Sequence, residues 1–416
     1  MKVIKHMIGE IEVTRDLLLL LTIGGLYALS IALSNTFVNV YLWKQSGEFA
    51  DIGIYNLAAV ISQPLTFILA GRWAKKMDRV IVLRIGVIFL ALFYITVLSL
   101  GQNASHLLVL LGALLGIGFG FYWLAFNVLT FEITEPETRD FFNGFLGLLT
   151  SFAGMIGPIF AGVIISSLEA FTGYKVIFGV SLALFFAAVI LSFFLERRSA
   201  KGNFSFTRIF QERKVNTDWL NILHAHFFQG IREGTFIFII VVLVFITTES
   251  ELAIGTFGLV NSAVSFLAYY LATRLIKPRF RKKAILYGGL ILYASVFLLV
   301  TDLTFARLLT YGVCISLAYP LLLVPYISLT YDVIGKAWNA AEMRIEYIVV
   351  REVYLNLGRI VSILLFLLTV KLFNDEKSIP ILLLIVGAGH TFIYLFVRRL
   401  QATSATIPDP SPDQLQ

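Results

Sequence analysis

The chain has 416 residues, of which 58% are hydrophobic and 14% charged, with a mean hydropathy of +0.85. So little polar surface excludes a soluble globular protein, and the class expected is an all-α integral membrane protein. The formal net charge of +7 reads as membrane topology: its lysines and arginines gather in short loops, and no nucleic-acid site is implied.

Apolar runs long enough for a ~30 Å hydrocarbon layer follow one another along the chain. In the first half they are Asp16 to Tyr41, Asp51 to Ala70, Val80 to Leu100, His106 to Phe131, Phe141 to Ser166 and Val176 to Leu195. In the second they are Trp219 to Ile246, Ala253 to Ile276, Ala284 to Val300, Phe305 to Tyr331, Tyr347 to Phe373 and Pro380 to Val397. Twelve transmembrane helices are therefore expected. The first run is too long for a signal peptide and is expected to stay as helix 1.

Placing both termini in the cytoplasm puts the basic clusters on that side. These include Lys2 and Lys5, Arg72 to Arg79, Arg197 to Lys214, Arg274 to Lys283, and Arg398 with Arg399. Lys44, Lys175, Arg307, Lys371 and Lys377 are left on the other side. This is the positive-inside pattern of a multi-pass protein of a bacterial-type cytoplasmic membrane, with acidic lipid head groups as partners. Residues 196–217 form a basic cytoplasmic linker. A short interfacial helix from Phe204 to Gln211 is one reading of it and a solvated tether the favoured one. Residues 399–416, with Pro408, Pro410 and Pro412, read as a disordered cytoplasmic tail.

Sliding the sequence against itself by 202 positions pairs Ile52-Gly53 with Ile254-Gly255, Arg72 with Arg274, Lys75 with Lys277, Arg79 with Arg281 and Gly86 with Gly288. At an offset of 200, Leu129-Thr130-Phe131-Glu132-Ile133 meets Leu329-Thr330-Tyr331-Asp332-Val333. The chain thus divides into two pseudo-symmetric six-helix halves, residues 1–195 and 218–398.

Six plus six helices about a central linker resembles the major facilitator superfamily, whose halves rock about a site near mid-membrane. After helix 2 that family carries Gly-x-x-x-Asp-Arg-x-Gly-Arg-Arg. Here Gly71 and Arg79 fit, Lys76 stands for the arginine, Lys75 replaces the aspartate and Asp78 the second glycine; Arg72 lies in the same cytoplasmic gate loop. The loop is read either as a gate, with Asp78 as a substitute charge lock, or as positive-inside topology alone. In helix 5, Gly144, Ala153, Gly157-Pro158 and Ala161-Gly162 resemble the glycine-proline motif of the family's antiporters, which implies efflux. The same small residues also serve close helix packing. Helix 4 departs from the drug and proton antiporters: Leu110 to Gly120 carries no arginine, so coupling has to use other residues.

Charges inside the spans concentrate in helices 7 and 11. Helix 7 carries His224, His226, Gln229, Arg232 and Glu233, and helix 11 carries Arg351, Glu352, Asn356 and Arg359. An intramembrane charge costs roughly 2.5 to 3.5 kcal/mol even on insertion scales, so each such residue needs a cavity or a partner. Arg232 and Glu233 lie roughly 20 Å from Trp219, and Arg359 roughly 18 Å from Tyr347, which gives them a common depth. His226, Gln229 and Glu233 form one stripe; Glu352, Asn356 and Arg359 form another. Two readings follow. Either Glu233 exchanges the coupling proton while Arg359 or Arg232 binds an anionic group, or the charges form a structural network joining the two helices. Arg351 and Glu352 are shallower, at gate depth, and His390 is read as a satisfied packing residue. The first half offers Tyr27, Asn35, Asn39, Tyr122, Trp123 and Asn127 to line a cavity, aromatic surface that suits an amphipathic ligand.

The expectation is a secondary transporter working by alternating access: proton-coupled efflux of an amphipathic small molecule by a monomer. Uptake of an organic anion, and a lipid-moving or sensory protein without proton coupling, are the alternatives. No phosphate-cradling loop, nucleophile motif or metal-ligand spacing is present, so neither an enzyme nor a cofactor is expected. Cys314, the one cysteine, excludes an intrachain disulfide.

Overall fold

The computed structural model describes residues 14–134, 136–168, 171–197, 202–300, 303–373 and 375–400. The expected tail from residue 401 onward, and Lys2, Lys5, Arg198 and Lys201, lie outside them. The described elements are helical. The first half holds α1 (Arg15–Ser46), α2 (Phe49–Ala74), α3 (Arg79–Leu100), α4 (Leu108–Ile133), α5 (Pro136–Ser167) and α6 (Thr172–Ser192). After a short linker helix, Phe206–Glu212, come α7 (Thr217–Thr248), α8 (Glu251–Leu275), α9 (Arg281–Val296), α10 (Phe305–Lys336) and α11 (Arg344–Leu372). The last span is broken at Ala388 into α12 (Asp375–Gly387) and α13 (Gly389–Val397). Among the described residues eleven stretches are long and apolar enough to cross a membrane; the longest, Arg79–Thr130, contains both α3 and α4, which makes twelve crossings.

Local chemistry sets the helix ends. Side chains of Thr14, Asp78, Asn216, Ser250 and Thr304 accept from backbone N–H groups of the first turns of α1, α3, α7, α8 and α10, satisfying donors the helix itself leaves open. Gly47 closes α1 in the left-handed conformation (φ 70°) that glycine adopts without strain. Inside the spans the backbone bonds within each helix, as lipid requires.

The pairing of helices repeats. In the first half α2 packs on α4, α3 on α4, α1 on α5, α1 on α6 and α3 on α6. Six spans later α8 packs on α10, α9 on α10, α7 on α11, α7 on α13 and α9 on α13. The principal contacts between these sets, α2 with α11 and α5 with α8, exchange with each other under the same shift. Large apolar side chains left exposed, among them Phe152, Ile190, Phe193 and Leu267, form the surface that hydrocarbon covers.

The linker corrects one expectation. Ile209 is fully buried, packed with Trp219 and Tyr347, and Arg213 donates to the Tyr354 hydroxyl at 2.5 Å. The segment is a docked helix and not a solvated tether, because its alternating Phe206, Ile209 and Phe210 supply an apolar face.

Candidate functional site

The site is assembled where α7 and α11 touch. Gly230 and Gly234 of α7 face Gly358 and Arg359 of α11 so closely that a Cβ added at any of the three glycines would collide with the opposing backbone. Small residues at this spacing let helices approach in lipid. That approach puts Arg359 against Glu233: Nη2 donates to Oε2 at 2.6 Å. The other carboxylate oxygen accepts from Gln229 Nε2 at 2.8 Å and from the Tyr319 hydroxyl at 2.9 Å. Asn356, fully buried, donates to the Glu352 carbonyl at 2.9 Å and accepts a long bond, 3.4 Å, from Arg359.

Arg232, one residue from Glu233, points elsewhere. It donates to the Tyr311 hydroxyl at 2.9 Å and lies 4.1 Å over the Phe236 ring. Among the described residues it has no carboxylate within ion-pair distance, and its Nε has no hydrogen-bond partner. Arg351 pairs with its neighbour Glu352 at 2.6 Å. His226 is buried, its Nδ1 2.9 Å from the Ile222 carbonyl and 2.5 Å from the Tyr326 hydroxyl. His390 is not the satisfied packing residue expected: it is fully buried beside Tyr319, and among the described residues neither ring nitrogen has a hydrogen-bond partner.

A cavity of about 690 Å³ borders this cluster and takes in Arg232, Glu233, Arg351, Glu352, Arg359 and Trp123. A second, of about 430 Å³, shares Arg351, Glu352, Arg359 and Trp123 and continues to Asn35, Asn39 and Asn127 in the first half. Asn39 there accepts from Asn56 at 2.8 Å. The charged side of this space thus belongs to α7 and α11, and amides and aromatics supply the other. Tyr27 and Tyr122 stack at 3.9 Å and are buried.

The remaining candidates divide between two ends of the bundle. In the loop after α2, Lys75 donates to Glu346 of α11 at 2.6 Å and to the Glu342 carbonyl at 2.9 Å. Its partner, fully buried, also accepts from the Ser205 backbone at 3.1 Å. Asp78 caps α3 through the Val80 N–H and takes no part in that pair; the ion pair that ties this loop to α11 is made by Lys75, a cation where the resembled motif has an aspartate. Arg79 pairs with Glu132 at 2.7 Å, Gly71 is buried against Phe204 and Val349, and Arg72 and Lys76 are exposed. In α5, Ala153 is buried, Gly157 packs on Ala32 of α1, and Pro158 and Gly162 pack on Gly255 of α8; Gly144 lies in the helix, its surroundings outside those described. At the opposite end Lys44 pairs with Glu251 at 2.8 Å, and the Tyr174 hydroxyl donates to the same oxygen at 2.9 Å. Among the described residues no group of acidic, histidine and cysteine side chains is arranged to hold a metal ion.

Sequence reasoning missed Tyr311, Tyr319 and Tyr326. Their spacing held a signal: at 100° per residue the three fall within about 80° of one another on α10.

Comparison with known proteins follows from this geometry. The family model described as Major Facilitator Superfamily matches residues 20–363. A protein of Bacillus subtilis (strain 168), "Uncharacterized protein YqgE", is 64% identical over 401 residues, 96% of this chain and 93% of its own. "Uncharacterized protein in sodM 3'region" of Geobacillus stearothermophilus is 62% identical over 194 residues, 47% of this chain and 91% of its own. In structure, the chain is similar to the human organic anion transporter MFSD10 (TETRAN), with a TM-score of 0.67, 14% identity, and coverage of 92% of this chain and 99% of that one. At that identity the likeness is one of fold.

Proposed function

The chain belongs to the major facilitator superfamily, and from that premise we propose that it carries an amphipathic organic anion together with a proton by alternating access. Membership makes it a multi-pass membrane transport protein and not an enzyme. The observation that carries the substrate class is Arg232: a buried guanidinium at the cavity wall with a hydrogen bond to a tyrosine and, among the described residues, no carboxylate partner. An unpaired intramembrane charge is costly unless something of opposite sign visits it. An anionic group in the cavity meets that need, and the aromatic surface opposite suits an apolar body. The structural neighbour is itself described as an organic anion transporter, which supports the same reading.

Glu233 is the residue proposed to carry the proton. An anion competing for Arg359 strips the carboxylate of its counter-charge, and a buried carboxylate without one is neutralised by taking a proton. Release of the anion restores the ion pair and expels the proton, so anion and proton occupy the site together and leave it together. A proton gradient directed into the cell drives such cotransport inward, which supports uptake as the direction, and the small-residue run in α5 is read as close packing on α1 and α8. The lysine and arginine bias supports a cytoplasmic membrane with both termini inside the cell, and the protein is read as a monomer in contact with acidic lipids.

The test is proton movement in proteoliposomes while aromatic and aliphatic carboxylates and sulfonates are added. Wild type is expected to move protons with one class of anion. Glu233→Gln is expected to abolish that flux, and Arg232→Gln to raise the half-saturating anion concentration at least about tenfold, the loss of roughly one charged hydrogen bond. Normal coupling in Glu233→Gln, or flux driven only by cations or neutral compounds, would overturn the proposal.

A further inference from the structure

Resting on the reading of the substrate as an amphipathic anion, we propose that the N-terminal half holds a separate aromatic subsite, walled by α1, α4 and α5, that takes a two-ring aromatic body. The anionic group of the same molecule lies against α7 and α11.

A cavity of about 290 Å³ is lined there by Tyr27, Ala28, Tyr122, Trp123, Phe126 and Thr150, among others. Its lining is apolar in character, because the Thr150 hydroxyl turns back to the Leu146 carbonyl at 2.9 Å. Trp123 joins it to the charged space, since the same side chain also lines both larger cavities. While its neighbours Tyr27 and Tyr122 are 7% and 1% exposed, Trp123 is 37% exposed. Its ring stands edge-on to both, at 5.3 and 5.5 Å. Edge-to-face and offset contacts of this kind are what a further aromatic ring would extend.

The helix geometry of α5 says which way this pocket opens. Among the described residues, Phe145, Leu148, Phe152, Ile156, Phe160 and Val163 are its exposed large side chains and share one face. Thr150 is about 200° around the helix from Leu148, yet it too is exposed. One turn earlier, Gly147 has open space where a side chain would stand. The exposed surface at 147 and 150 is therefore turned away from the face that meets lipid, toward the interior cavity. A lipid tail would have to enter from the opposite side of α5; a substrate already in the cavity would not. Volume narrows the class further. The pocket is, at about 290 Å³, about twice the ~150 Å³ cavity that accepts one benzene ring, so it has room for two fused rings.

The experiment measures equilibrium binding of 1-naphthoate, benzoate and uncharged 1-naphthalenemethanol to the purified full chain in lipid nanodiscs. Wild type is expected to bind naphthoate about tenfold or more tighter than benzoate, the worth of one buried ring. Thr150→Phe fills the pocket and is expected to erase that difference, with naphthoate no longer bound tighter than benzoate, whereas Thr150→Ser retains it. Ala28→Phe repeats the test from α1 in case the first variant does not fold. Arg232→Gln is expected to weaken both acids and leave the alcohol alone. If both filled variants keep the naphthoate preference while Arg232→Gln loses the acids, the subsite is wrong and the anion reading survives. If Thr150→Phe abolishes acid and alcohol alike and Arg232→Gln changes neither, the subsite stands and the anion reading falls. Binding of none of the three compounds overturns both.

Discussion

Glu233 is held by three donors from three places, Gln229 on its own helix, Tyr319 on α10 and Arg359 on α11, so one carboxylate ties together most of the charged wall. Removing one partner of a buried ion pair typically costs about 3–5 kcal/mol, whereas replacing both is close to neutral. Here 17% of the arginine and 13% of the glutamate side chain remain exposed, which puts the expected penalty for Arg359→Gln toward the lower end of that range. The double variant Glu233→Gln/Arg359→Gln keeps the shape and removes both charges. Thermal unfolding in detergent is expected to show the single arginine variant least stable, with most of the loss recovered in the double. Strictly additive losses would mean that the two residues are not coupled in the folded state.

At the scale of the helix, the pair exists because α7 and α11 lack side chains where their backbones meet. A Cβ on Gly358 would run into the Phe227 carbonyl, while one on Gly179 of α6 meets nothing within 4 Å. Gly358→Ala is therefore expected to lower stability by about 1–3 kcal/mol through overpacking and to weaken anion-driven flux, because it separates Glu233 from Arg359. Gly179→Ala is the matched control and is expected to be neutral in both assays; equal effects would show that helix approach is not what places the pair. This level also marks how far the sequence could be read. Span number and the repeat were legible because hydropathy and spacing are local properties. Charges in α7 and α11 stood out because their cost in lipid is local too. Which arginine meets Glu233 depends on helix rotation and crossing, so Arg232 and Arg359 stayed interchangeable until their neighbours were seen. The partners missed, Tyr311 and Tyr319, carry no formal charge to attract notice, and Lys75 finding Glu346 needs a contact across 271 positions.

At the scale of the whole molecule, two ion pairs among the described residues bridge the halves at opposite ends. Lys75 of the first half holds Glu346 of the second, and Lys44 holds Glu251. The 26 residues of α2 span about 39 Å between those ends. Both pairs are made in this structure, yet transport by rocking halves requires each end to open in turn. Burial makes them unequal: the side chains of Lys75 and Glu346 are 9% and 0% exposed, those of Lys44 and Glu251 31% and 9%. Partly exposed pairs contribute about 0–1 kcal/mol, whereas breaking a buried one costs several. Lys75→Glu, which sets two carboxylates together, is expected to open its end, and Lys75→Glu/Glu346→Lys to close it again. Lys44→Gln is expected to change its own end far less. With Cys314 replaced by serine, spin labels at the exposed positions Arg72 and Trp338 report the separation across the Lys75 end. A lengthened distance in the single variant that the charge swap reverses is the result expected. An unchanged distance in Lys75→Glu would mean that helix packing alone, through α2 on α11 and α5 on α8, keeps that end shut.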